Sequence, residues 1–302
     1  MQKFSSASKG VIYALCAYIL WGIIPFYWKM LSNVNSVHIL TARVVFAFVI
    51  MAPLLIIQKN LRWILCFKNK KVAVKVIALA VLITGNWGIY IWAVNSGHII
   101  EASLGYFINP IFSIVLGVLF LREKMNALQK TAFWLAAFGI VLITIFSGKP
   151  PFISLSLALS FAFYGLIKKN VRLNALESLT AETFIAVPIA FVLLFIPKQG
   201  ITYLFDLQLY EYILLFLAGG VTALPLFLFA KSAKYLPLSA LGFIQFISPL
   251  LQFLFGIFIF REHFPTQNII AVAFIWAGAV LYPFSYIKFK KKKAGGINNY
   301  LA

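Results

Sequence analysis

The chain has 302 residues, 63% hydrophobic and only 11% charged, more apolar surface than a water-soluble domain of this size can cover with a polar coat. Its 26 basic and 7 acidic residues give a net charge of +19, which in a soluble protein would point to nucleic acid. Two cysteines and three scattered histidines offer neither a disulfide framework nor metal-ligand spacing.

Runs of ~20 apolar residues, the length that crosses ~30 Å of hydrocarbon, recur from end to end. Ten are predicted, over 10–28, 36–57, 73–94, 99–121, 127–147, 152–167, 177–197, 210–230, 238–260 and 266–287. The expected fold is an all-α membrane protein of ten transmembrane helices joined by short loops. The first run ends in Phe26-Tyr27-Trp28-Lys29 with no small-residue cleavage site, so it reads as a retained span. Arg43 lies about seven residues into the second span, where a cation needs a partner or a snorkelling route. An anionic group of a solute and a structural carbonyl are equally good partners.

The third span holds Gly85-Asn86-Trp87 through Tyr90 to Trp92, Asn95 and His98. Asn86, Trp87 and Tyr90 lie deep in the span, and aromatics with polar tips beside amides suit an aromatic or amphipathic organic solute. Trp92, Asn95 and His98 read instead as an interfacial aromatic belt with a helix cap. Glu101 follows at the start of the fourth span. Paired with His98 it offers a route for coupled protons; alone it is a favourable carboxylate at a helix N-terminus. At 3.6 residues per turn Tyr106, Asn109, Ser113 and Gly117 share one narrow stripe, and Pro110 removes a backbone donor beside it.

Asn109-Pro110, Gly117 and Arg122-Glu123 then recur as Ser248-Pro249, Gly256 and Arg261-Glu262, each displaced by 139 residues; Gly139 finds Gly278 at the same offset. Helix grammar alone can repeat charged pairs and glycines, but rigid spacing over fourteen positions favours a duplication. Tyr18-Ile-Leu-Trp21-Gly22 beside Phe161-Ala-Phe-Tyr164-Gly165 is a looser match. The expected division is a first repeat over 10–147, a second over 152–287 and a basic tail over 288–302. Each repeat has five spans, so the second is inverted, which points to a secondary transporter. The offset carries the polar stripe to Gln245, Ser248, Gln252 and Gly256. Facing stripes can line a cavity for a polar solute or glue helices together. Pro110, Pro225 and Pro249 are the candidate bends, and the two Arg-Glu pairs read as interfacial anchors or gate rims.

With a cytoplasmic N-terminus, 21 of the 26 basic residues fall on the inner side, so topology accounts for the charge without nucleic acid. Both termini are then cytoplasmic, and the tail suits anionic lipid headgroups. No phosphate-cradling loop, His-Glu-x-x-His helix or nucleophile elbow is present, so no cofactor, metal or catalytic residue is assigned. The expected function is a secondary active transporter moving a small organic solute outward by alternating access, with protons as a candidate coupling ion. The alternatives are a membrane-embedded enzyme acting on a lipid or isoprenoid phosphate and a structural membrane subunit.

Several stretches resemble the RarD proteins, in the EamA branch of the drug/metabolite transporter superfamily. They are Gly22 to Lys29, Gly85-Asn86-Trp87 through His98, Glu101 through Asn109-Pro110, Thr222-Ala223-Leu224-Pro225-Leu226 and Leu236-Pro237-Leu238-Ser239. The similarity runs from about Lys9 to Tyr286 and implies ten spans in two inverted repeats, cytoplasmic ends and the bacterial inner membrane. It also implies a name linked to chloramphenicol sensitivity. Members often carry His before the arginine of span 2, where this chain has Ala42.

Overall fold

The computed structural model describes residues 6–96, 98–148, 152–195, 205–259 and 269–282. All regular structure among them is helical, as hydrocarbon demands of an open chain, because a helix satisfies its backbone polar groups internally. The helices are α1 (Ser6–Met30), α2 (Ser36–Ile57), α3 (Arg62–Leu65), α4 (Lys70–Asn95), α5 (Ile99–Leu121), α6 (Ala127–Ser147) and α7 (Phe152–Lys169). They continue as α8 (Ala175–Leu193), α9 (Leu209–Tyr235), α10 (Leu238–Gln245) and α11 (Ile247–Phe258), then α12 (Ile269–Tyr282). Counting α10 and α11 as one interrupted helix, nine among the described residues are long and apolar enough to cross a membrane. The last predicted run is represented by α12, and its flanks lie outside the described residues.

Local chemistry sets several boundaries. Asn126 and Asn174 open α6 and α8 with capping boxes, each side chain accepting from the N3 amide while Gln129 or Glu177 reaches back. Gly148, at φ 66°, closes α6 in the left-handed region that glycine enters without penalty. Several boundaries differ from the sequence reading, three of them in ways that bear on the site. Helix α7 runs on through Lys168 and Lys169, α9 extends to Tyr235, and the ninth span breaks between Gln245 and Ile247. Pro249 explains the break: it has no N–H to give the carbonyl of Gln245, and its ring crowds that carbonyl.

The two halves interlock. Taking α1, α2, α4 and α5 in order against α7, α8, α9 and α10/α11, the main contacts between halves come with their roles exchanged. Helix α1 packs on α9 as α7 packs on α4; α1 packs on α11 as α7 packs on α5; α2 packs on α9 as α8 packs on α4. Helices α2 and α8, and α5 and α10, pair directly. On the outer surface Val74, Leu119, Trp134 and Phe191 are exposed, as befits a bundle whose solvent is lipid tails.

The repeated motif has a structural meaning in its first copy. Arg122 turns the chain out of α5 at φ 53°, which brings Glu123 over the start of α10. There Glu123 accepts from the amides of Leu238 (2.7 Å) and Ser239 (2.8 Å) and from the Ser239 hydroxyl (2.6 Å). A carboxylate on a helix N-terminus is favourable for the orphan amides and the dipole alike. Gly117 leaves the room: a Cβ there would stand 2.7 Å from Glu123 Oε2 and 2.9 Å from the Ser239 nitrogen. Glu123 is therefore a cap supplied across two helices. Arg261, Glu262 and the other residues of 260–268 lie outside the described residues.

Candidate functional site

A cavity of about 410 Å³ occupies the centre of the bundle. It extends toward the end where α1 finishes and α2 begins, opposite the Glu123 cap. Asn86, Trp87 and Tyr90 from α4, Tyr106 and Asn109 from α5, Gln245 from α10 and Gln252 from α11 all line it. Ser248 and Pro249 join them, so both polar stripes face the same space. The volume lies within the ~300–1,000 Å³ usual for small-molecule sites.

Part of this polar inventory holds helices together. Asn86 Nδ2 donates to the Leu157 carbonyl and to Ser160 Oγ, both at 2.8 Å, and so ties α4 to α7. Ser113 donates to Gln245 Oε1 at 3.3 Å, bridging α5 and α10. Gln252 Nε2 donates to the Trp21 carbonyl at 3.0 Å. Two groups in the cavity wall are left over: the Tyr18 hydroxyl and Asn109 Oδ1 are buried with no partner among the described residues. An unsatisfied buried polar atom costs ~1–3 kcal/mol, so each is a place where a solute would gain more than it disturbs.

Arg43 reaches the cavity from α2. Its guanidinium carbon lies 4.7 Å from the ring centre of Trp28 and 4.6 Å from that of Trp87, and Nε donates to Thr222 Oγ1 at 3.0 Å. The carbonyl partner that sequence reasoning allowed is replaced by two indoles and a hydroxyl. Among the described residues no carboxylate pairs with Arg43, and no acid lines the cavity. Cation–π contacts contribute ~0.5–2 kcal/mol each, whereas desolvating an ion costs several kcal/mol. The aromatic clamp alone leaves Arg43 short of compensation.

The remaining candidates lie elsewhere. His98 stacks on Trp92, with ring centres 5.6 Å apart and an interplanar angle of 21°, and Trp92 is exposed; neither lines the cavity. Glu101 is in the first turn of α5, and its side chain lies outside the described residues. The helices run continuously through Pro110 and Pro225, whereas the interruption of the ninth span sits beside Pro249. Sequence reasoning drew the candidate cavity residues from spans 3, 4 and 9 and missed the contribution of α1. Tyr18, Trp21, Pro25 and Trp28 recur every three or four residues along α1 and form an aromatic wall, faced by Phe161 of α7. Trp21 and Phe161 meet edge to face at 5.7 Å. That stripe was visible in the spacing, but aromatics are common at span ends and their periodicity does not announce a cavity.

A multi-pass helical bundle around a central aromatic and polar cavity is the architecture of a membrane transporter. The EamA-like transporter family matches the sequence twice, over residues 8–145 and 150–283. The chain belongs to that family. Relatives include Uncharacterized transporter YojE of Bacillus subtilis, 40% identical over 302 residues with 96% of this chain and 98% of the relative covered. Protein RarD of Escherichia coli is 39% identical over 276 residues, covering 91% and 93% of the two chains. Chloramphenicol-sensitive protein RarD of Pseudomonas aeruginosa is 25% identical, covering 95% and 98%. One crystal structure shares the fold with a TM-score of 0.68 at 14% identity, covering 90% of this chain and 96% of that one. The protein is thus a multi-pass bacterial membrane transporter with a small-molecule substrate, and the enzyme alternative falls away.

Proposed function

We propose that this chain is a secondary active transporter that exports a small organic solute by alternating access. Its ten spans form two inverted repeats, 10–147 and 152–287, with both ends in the cytoplasm. The central cavity is the transport site, and Asn86, Trp87, Tyr90, Tyr106, Asn109, Gln245 and Gln252 contact the solute. The observation that carries this reading is the convergence of all seven on one cavity, two of whose wall groups, Asn109 Oδ1 and the Tyr18 hydroxyl, have no partner among the described residues. The exchanged helix contacts and the duplicated family match support the repeat. The bound state is closed at the Glu123 end, and rocking of one repeat against the other opens that end.

Asn109→Leu keeps the side-chain volume and removes the acceptor. Losing a buried hydrogen bond of ~1–3 kcal/mol predicts a fall of roughly 5- to 150-fold in flux from reconstituted vesicles at unchanged protein abundance. Unchanged flux excludes the cavity as the transport site. His98, Glu101 and protons belong to the same proposal: flux that persists after the pH gradient is collapsed removes proton coupling. The inverted topology is tested separately with Gly148→Cys and Gly295→Cys. A membrane-impermeant thiol reagent applied from outside labels the first and spares the second; labelling both alike refutes the inversion.

A further inference from the structure

We infer that the solute is an organic anion, with a carboxylate that docks on Arg43 and a planar apolar body that lies among the cavity's aromatic rings. The inference rests on the cavity being the transport site. Arg43 has five N–H donors. Nε is spent on Thr222, and Trp28 and Trp87 are held against the guanidinium at 4.7 and 4.6 Å. What remains for a ligand is the pair of terminal nitrogens, a planar fork that matches a carboxylate with two parallel hydrogen bonds. The stacked indoles fix the fork before the solute arrives, so little rotamer freedom is lost on docking.

The charge balance points the same way. Arg43 lines the cavity, and among the described residues no acid does. An anionic solute supplies the missing negative charge, a neutral one leaves the guanidinium uncompensated, and a cation meets like charge. Beyond the guanidinium, Tyr90 and Tyr106 meet at 5.7 Å with rings inclined by 66°, and Trp21 and Phe161 continue the apolar surface. Among the described residues Asn109 Oδ1 has no donor, so the favoured solute carries an N–H or O–H to supply one. These requirements together describe a hydroxy- or amino-substituted aromatic carboxylate.

The test titrates the purified full-length protein with 4-hydroxyphenylacetate and with its neutral carboxamide, by isothermal calorimetry. A charge-assisted hydrogen bond predicts roughly ten-fold or tighter binding of the acid. Arg43→Gln should erase that preference, and Arg43→Lys should keep part of it, since it retains the charge and loses the fork. The acid–amide comparison on the unaltered protein stands even where Arg43→Gln does not fold. Equal binding of acid and amide, no binding of the acid, tighter binding of phenylphosphate than of the acid, or a preference that survives Arg43→Gln overturns the inference. Asn109→Leu separates the two failures. If it weakens the amide while acid and amide bind alike, the cavity stands and the anion falls; if acid binding is indifferent to both variants, the cavity falls.

Discussion

Glu182→Ala is expected to destabilise the protein by about 3–5 kcal/mol, the usual consequence of leaving one member of a buried ion pair alone. Glu182, inside α8, and Lys168, near the end of α7, meet at 2.6 Å with both side chains about 2% exposed. The carboxylate also accepts from Tyr164 at 3.0 Å and from Ser178 at 2.5 Å, and Lys168 donates to Ser178 at 3.0 Å. Every strong partner of the Lys168 ammonium therefore belongs to one small network. Removing Glu182 strands a cation that α7, α8 and α9 enclose, whereas removing both charges strands nothing. The paired variant Lys168→Met with Glu182→Leu should recover most of the loss, because apolar replacement of a buried pair is often neutral. Thermal unfolding in detergent, completed as a double-mutant cycle, reads the difference. A loss under ~1 kcal/mol for Glu182→Ala would show that the pair is hydrated and carries no such role.

This network marks the limit of what the sequence could disclose. Lys168 looked like part of a cytoplasmic basic loop, because a lysine beside another at a span end ordinarily is one. Its partner is fourteen residues away on the next helix, and only the tertiary structure shows that both side chains are buried. The polar stripes of α5 and α11 were readable because periodicity is local: Tyr106, Asn109 and Ser113 share a face whatever the neighbours do. The clamp on Arg43 was not readable. Trp28, Trp87 and Thr222 come from three other helices, and no spacing rule connects them. Pro110 and Pro249 show the same boundary between local and tertiary control. They occupy matching places in the repeated motif, yet only the second lies beside an interrupted helix. At Pro110, α10 presses against α5 so closely that a Cβ on Gly242 would stand 2.7 Å from the Pro110 carbonyl oxygen.

Gly139→Leu and Gly278→Leu are each expected to prevent the crossing of α6 and α12, at a cost beyond the ~1–3 kcal/mol of ordinary overpacking. A Cβ at Gly139 would lie 2.4 Å from the carbonyl oxygen of Ala271, and one at Gly278 would lie 2.5 Å from that of Ala132. The obstacle in each case is backbone, which cannot swing aside like the tip of a side chain, so the two helices must separate. Small residues at such a crossing are what let helices associate in lipid, where no hydrophobic force drives them together. The positions also carry a relation that distinguishes this pair from two unrelated tight spots. Ala132 and Ala271 are 139 residues apart, as are Gly139 and Gly278, so each glycine sits on the counterpart of the residue its own counterpart touches. Equivalent contacts predict that the two substitutions reduce the monodisperse fraction on size exclusion to a similar extent. Gly85→Ala is the control: nothing lies within 4 Å of its Cβ position, and replacing a helical glycine by alanine gains ~0.5–1 kcal/mol. Unequal losses at Gly139 and Gly278 would deny the exchange relation. Tolerance of leucine at both would mean that α6 and α12 do not meet backbone to backbone, and the interlocking of the two halves would rest on the contacts that α1, α2, α4 and α5 make with α7 to α11.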